Sequence, residues 1–133
     1  MDIEIGMCGK SETEVNESNT AWTLGSGDLP VFATPAMVAL MEKAAVNAIV
    51  LPNGQSSVGT SLEIKHMAAT PVGLKVWAIA TLVKIDRRKL VFDVEAYDEK
   101  EKIGSGSHER FIIDSHSFLN KVNSKVLVNK IGE

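Results

Sequence analysis

Between Val31 and Leu51 the chain reads VFATPAMVALMEKAAVNAIVL, twenty-one residues that are apolar on almost every side of a helical projection. A helix this uniformly apolar has to be enclosed by the rest of the fold. Thr34-Pro35 supplies a start signal, because threonine caps a helix by accepting the N–H of Ala36 or Met37 and proline tolerates the first turn. Pro52-Asn53-Gly54 supplies a stop, so the helix is expected to end at Leu51.

Beyond Gly54 the apolar period changes from helical to two. In VGTSLEIKHM, from Val58 to Met67, alternation puts Leu62, Ile64 and His66 on one strand face and Ser61, Glu63 and Lys65 on the other. Leu74 to Ile85 reads as a long apolar strand. Leu90 to Tyr97 reads as a second, with Leu90, Phe92, Val94 and Ala96 on one side. A last strand is expected from about Gly104 to Ile113, then a short amphipathic helix capped by Asp114. Before the helix, Lys10 to Val15 suits a short or edge strand, and the glycines of TAWTLGSGDLP lead into the helix. The segments 1–10 and 126–133 are read as the loosely specified ends. One buried helix followed by an antiparallel meander implies an α+β architecture, a sheet wrapped around the helix in the hot-dog manner. A sheet this small leaves apolar helix surface that a second copy would cover, so at least a homodimer is expected, with dimer or tetramer both open.

Length and charge narrow the function. With 133 residues the chain is read as a single domain, 1–133, with its core at about 10–125. A net charge of −3 gives no general attraction to nucleic acid. No apolar run suits a signal peptide or a membrane span, which points to a cytoplasmic protein. The single cysteine, Cys8, has no internal disulfide partner and no second thiol for a zinc site, so no metal is expected.

Glu42 interrupts the apolar helix. At about 100° per residue, Pro35, Val38, Val46 and Ile49 all fall within roughly 40° of it, while Lys43 and Asn47 lie on another face. A carboxylate placed there is either desolvated, with a pKa raised toward the range useful for proton transfer or nucleophilic attack, or it pairs with a buried arginine or backbone group or reaches solvent. His66, facing inward, is either a satisfied core histidine or a proton carrier. Thr34 either caps the helix or presents a hydroxyl beside the positive helix end. Eight residues separate Thr34 from Glu42 by about 12 Å along the axis, so a substrate or partner subunit must bridge them. Gly59 reads first as a bulge, and also permits close approach to a backbone N–H. His108 shares a strand face with Arg110, His116 belongs to the terminal helix, and neither completes a metal-ligand spacing. GSGSH lacks the rest of a dinucleotide fingerprint, and no nucleophile elbow or phosphate loop is present. Arg87, Arg88 and Lys89 form a basic turn, read as a solvated hairpin or as a contact for phosphates.

The stretches ATPAMVALMEKAA and GTSLEIKHMAATPVG resemble the fluoroacetyl-CoA thioesterase-like family of hot-dog proteins, and the resemblance runs from about Lys10 through SHERFIID. It implies an acyl-CoA thioesterase with Thr34, Glu42 and His66 as the catalytic set, Gly59 as the matching glycine and Arg110 as a substrate or coenzyme contact. It also implies no separate cofactor, coenzyme A entering as part of the substrate. It does not imply fluorine selectivity, since GSGDLPVF is small and polar where a bulky aromatic lid would be expected. Rival readings are a hot-dog hydratase, a non-catalytic acyl-CoA binding module, which needs no ionisable Glu42, and a plain dimeric interaction protein.

Overall fold

The structure, a computed structural model, describes residues 3–131, with side chains to 126; the extreme ends, 1–2 and 132–133, read from sequence as loosely specified, lie outside the described residues. Its elements in chain order are β1 (Cys8–Glu14), a 3₁₀ turn (Glu17–Asn19), α1 (Ala21–Leu24), α2 (Thr34–Ala48), β2 (Gln55–His66), β3 (Lys75–Asp86), β4 (Lys89–Asp98), β5 (Lys102–Asp114) and α3 (Ser115–Ile131). The five strands form one antiparallel sheet in the order β1-β3-β4-β5-β2. It curls around α2, which packs on β1, β3, β4 and β2. This is the hot-dog arrangement expected from the sequence.

The packing follows from alternation. Val76, Ala78, Ala80 and Leu82 of β3 and Leu90, Phe92, Val94 and Ala96 of β4 are all buried. They face the helix residues Met37, Leu40, Met41, Ala44, Ala45 and Ala48. Each large apolar side chain fully buried there contributes about 1.5–3 kcal/mol. Small residues set how closely the layers approach: a Cβ on Gly9 would run into the α2 backbone at Ala44 and Ala48. Asn47, from the polar flank of α2, donates to the Lys10 carbonyl at 2.9 Å and ties the helix to the edge strand.

Several expectations are corrected. The helix ends at Ala48, with Ile49 already extended, rather than at Leu51. The N-cap is Ala33, with no side-chain cap bond; Thr34 lies inside the helix, so its hydroxyl is not the cap. The first strand begins at Cys8, within the segment read as loose. The glycine-rich approach holds a short helix, α1, whose N-cap Thr20 accepts the Thr23 N–H at 3.3 Å and whose C-cap Gly25 has φ 74°. The terminal helix is long, starting after Asp114 and reaching Ile131. Gly59 does mark a bulge, since the β2–β5 register shifts between Gly59 and Ser61 and leaves Thr60 without a paired residue.

Candidate active site

Thr34, in the first turn of α2, and His66, the last residue of β2, meet directly: Thr34 Oγ1 lies 2.7 Å from His66 Nδ1. The other ring nitrogen, Nε2, is buried and has no hydrogen-bond partner among the described residues. Burial lowers the His66 pKa from its ordinary value, opposed by the nearby Ala68 backbone, and the balance favours the neutral ring. The pair opens on a cleft of about 260 Å³ whose wall includes Ala21, Ser26, Phe32 and Ala68.

Glu42 belongs to a second cluster. Its Oε2 lies 3.3 Å from Arg110 Nη1 and 4.0 Å from His108 Nε2. The carboxylate is 41% exposed, which corrects the expectation of an acid enclosed by apolar atoms; of the alternatives drawn from sequence, it pairs with a buried arginine and also reaches solvent. The reason lies in the helix geometry. Met37, Leu40, Met41, Ala44, Ala45 and Ala48 form a buried stripe centred roughly 130° around α2 from Glu42. Of the apolar residues expected beside the acid, Pro35 is exposed, Val38 partly buried and Val46 42% exposed, and only Ile49, already extended beyond the helix, joins the core.

Arg110 on β5 is 6% exposed and held from several sides. Nε donates to Ser57 Oγ at 2.8 Å and Nη2 to the Ser57 carbonyl at 2.9 Å. Nη1 serves both Glu42 and, at 3.2 Å, His108 Nε2. Burial lowers the arginine's pKa while Glu42 raises it, and a guanidinium stays charged in such a setting. One N–H on Nη2 is left over, so any direct hold on a substrate passes through that single donor. Gly59 completes the cluster by having no side chain: a Cβ there would sit 2.7 Å from Glu42 Oε2 and 3.2 Å from His108 Cε1.

Thr34 and His66 are thus brought together, Glu42, Gly59 and Arg110 are brought together, and among the described residues no hydrogen bond joins the two sets within one chain. Sequence reading placed His108 beside Arg110 on one face and went no further. It also passed over Ser57, whose signal was its place two residues before Gly59 on the same strand. In the basic turn, Arg88 lies 3.8 Å from Asp114 and Lys89 3.9 Å from Glu109, while Arg87 occupies the turn with φ 59°. His116 lies on α3, 3.3 Å from Asn120 Nδ2 and away from both clusters. Among the described residues no cluster of His, Cys, Asp and Glu is arranged to hold a metal ion, and no helix is long and apolar enough to cross a membrane.

A curled antiparallel sheet wrapped around one helix is the hot-dog fold, and the relatives of this chain place it among the thioester hydrolases of that fold. Comparison with known proteins makes the class specific. Residues 15–116 match the family model described as FlK, fluoroacetyl-CoA-specific thioesterase. The fluoroacetyl-CoA thioesterase of Streptantibioticus cattleyicolor is 45% identical over 97 residues, covering 71% of this chain and 70% of that protein. A solved structure of the fluoroacetyl-CoA thioesterase FlK superposes with a TM-score of 0.87 at 37% identity, over 94% of this chain and 98% of the other. A thioesterase superfamily member from Thermus thermophilus gives 0.88 at 28% identity, over 99% and 98%. The chain belongs to the fluoroacetyl-CoA-specific thioesterase family.

Proposed function

We propose that this protein hydrolyses small acyl-CoA thioesters, with Thr34, Glu42 and His66 as its reacting set. The observation that carries the reading is the division of these groups into two prepared halves: a hydroxyl bonded to a neutral imidazole at 2.7 Å, and a carboxylate fixed by a buried guanidinium at 3.3 Å. The modest volume of the cleft, about 260 Å³, supports a short acyl group, and the small, polar Gly25 to Asp28 segment beside it gives no support to selection for fluorine.

In this mechanism the Glu42 carboxylate attacks the thioester carbonyl, or removes a proton from the water that does, and backbone N–H groups near Gly59 hold the developing oxyanion. On the direct route attack expels the thiolate and leaves an acyl-Glu42 anhydride that water hydrolyses, the water's proton passing through neutral His66 to the thiolate. On the water route Glu42 holds the water's proton and His66 relays it to the thiolate, with Thr34 fixing the ring. A slow substrate stopped in mid-turnover separates the two routes, because only direct attack adds the acyl mass to the Glu42 peptide.

The two halves meet across a homodimer in this reading. The outward face of α2, with Pro35, Val38 and Val46 beside Glu42 and Val50 at 88% exposure just beyond the helix, supplies the apolar surface for it. The free edge of β2 lies at the same margin of the sheet.

The 2.7 Å Thr34–His66 bond favours a second reading, in which Thr34 Oγ1 attacks and its proton passes to His66 Nδ1. The acyl mass would then appear on the Thr34 peptide.

The test is free-thiol release from short, branched, aromatic and long acyl-CoAs, with Glu42→Gln and Thr34→Ala run beside the native protein. Turnover that collapses in Glu42→Gln upholds the first reading. Full turnover in that variant refutes it, and tight binding of acyl-CoA with no turnover by the native protein would make the chain a binding module.

A further inference from the structure

His108 is a buried titratable side chain that the proposed reaction leaves unused. It is 1% exposed, and both ring nitrogens have partners. Nδ1 lies 2.9 Å from the Ser61 carbonyl oxygen, which can only accept, so Nδ1 carries the hydrogen. Nε2 then offers a lone pair, and its neighbour at 3.2 Å is Arg110 Nη1, which can only donate. The partners therefore select the neutral Nδ1–H tautomer, and the 4.0 Å approach of Nε2 to Glu42 is not an ion pair.

The two hydrogens of Arg110 Nη1 are divided between His108 Nε2 and Glu42 Oε2. Wherever His108 holds Nη1, the carboxylate follows. A phenylalanine could fill the same space against Phe92, whose ring centroid lies 6.4 Å away, but it would leave one Nη1 hydrogen without an acceptor.

We infer that neutral His108 is a positioning residue for Glu42, acting through Arg110. The inference rests on the reading in which Glu42 carries the chemistry. The groups that face the ring are Arg110 and Glu109 from β5, Glu42 from α2, the Ser61 carbonyl from β2 and the uncharged Phe92 from β4. Protonation would remove the lone pair and set a second cation 3.2 Å from Arg110, with Glu42 drawn toward the new charge. Burial resists that protonation and lowers the ring's pKa; the Ser61 bond opposes the effect and the Arg110 charge reinforces it. The site is therefore ordered above the titration of His108 and loses its arrangement below it.

The test is steady-state kinetics from about pH 5 to 8 on the native protein, His108→Gln, His108→Phe and Glu42→Gln, with a thermal melt of each. His108→Phe is expected to lose about 30- to 100-fold in kcat, with KM within about threefold, because the carboxylate is misplaced and not removed. His108→Gln, whose amide oxygen can accept from Arg110, is expected to recover about tenfold of that loss or more. With His66 and His108 both required neutral, the acid limb of log kcat approaches a slope of two in the native protein and of one in His108→Gln. Native kcat and slope in His108→Phe, beside an inactive Glu42→Gln, would overturn the inference alone. A loss in His108→Gln equal to that of His108→Phe, with the slope unchanged, would reduce His108 to packing and overturn it too. Full turnover in Glu42→Gln would overturn the catalytic reading of the carboxylate and this inference with it. If His108→Phe melts below the assay temperature, the slope in His108→Gln decides.

Discussion

Replacing Gly59 by alanine adds one methyl group at the point where β2 meets Glu42. Gly59 is not among the positive-φ residues, so its backbone accepts an L side chain without strain. The conflict is one of contact: the new Cβ would lie 2.7 Å from Glu42 Oε2, 3.2 Å from His108 Cε1 and 3.4 Å from Arg110 Nη1. A carbon–oxygen contact relaxes to roughly 3.4 Å or more, so the carboxylate must retreat by about 0.7 Å. The Glu42 side chain is 41% exposed and has room to do so. The overpacking cost therefore falls at the low end of the usual range, about 1 kcal/mol, and the lower entropy of the unfolded alanine chain offsets part of it. Stability should change by no more than about 1 kcal/mol. Activity should not be spared, because a displacement approaching 1 Å at a reacting carboxylate costs up to about 100-fold. Thiol release from the best acyl-CoA would read the second effect, and a urea melt the first. Native kcat in Gly59→Ala would show that Glu42 need not stand where the structure puts it. A stability loss above about 3 kcal/mol would show that the carboxylate has no room to move.

Three further expectations rest on the same geometry. Thr34→Ala loses no cap bond but removes the 2.7 Å partner of His66 Nδ1, so it should cost about 0.5–1.5 kcal/mol; turnover should fall steeply, and both should return in Thr34→Ser. Acidification should destabilise the protein. His66 and His108 have lowered folded pKa values, from burial in both, so the unfolded chain binds protons first: stability is full above about pH 6.5 and declines as pH falls from there through the folded values. Urea midpoints flat or rising between about pH 7.5 and 5.5 would contradict this. For Asp98, burial pushes the carboxyl up, but hydrogen bonds from Thr70 and the Lys100 and Glu101 amides outweigh it and hold it below its ordinary value, so its contribution persists to lower pH and is lost as pH falls through that folded value. Thr70→Val removes the 2.7 Å bond to this 4% exposed acid and should cost about 1–3 kcal/mol by denaturant titration.

The sheet was legible because its strands obey period two over long runs, even though a bulge breaks β2 at Thr60: every inward residue expected of β4 is buried, and His66 does share a face with Leu62 and Ile64. Helix α1 was not, because four residues show no periodicity and its signals are caps, Thr20 and Gly25, which also serve turns. The burial of Glu42 was misjudged for a related reason. Hydropathy marks a face as apolar and does not say whether it meets its own sheet or another surface, and α2 has both kinds. Of the candidate residues, Thr34, His66, Gly59, Glu42 and Arg110 all lie in the two clusters. Ser57 and His108 contribute through hydrogen bonds between strands 47 to 53 positions apart, and local spacing carries no record of such contacts.

The unpaired Thr60 has a consequence for how this strand can change over time. Ser57 and Gly59 are odd-numbered and His66 is even-numbered, yet all three look toward the helix side of the sheet. On an uninterrupted strand that is forbidden by parity, because odd and even positions take opposite faces. The bulge resets the count. Deleting Thr60 alone would leave a regular ladder with Leu62, Ile64 and His66 still inward, whereas pairing Thr60 into the ladder would turn all three outward together. Between Gly59 and His66, then, one residue can be lost at the bulge without moving a face, and any other change of length comes in steps of two or brings a bulge of its own.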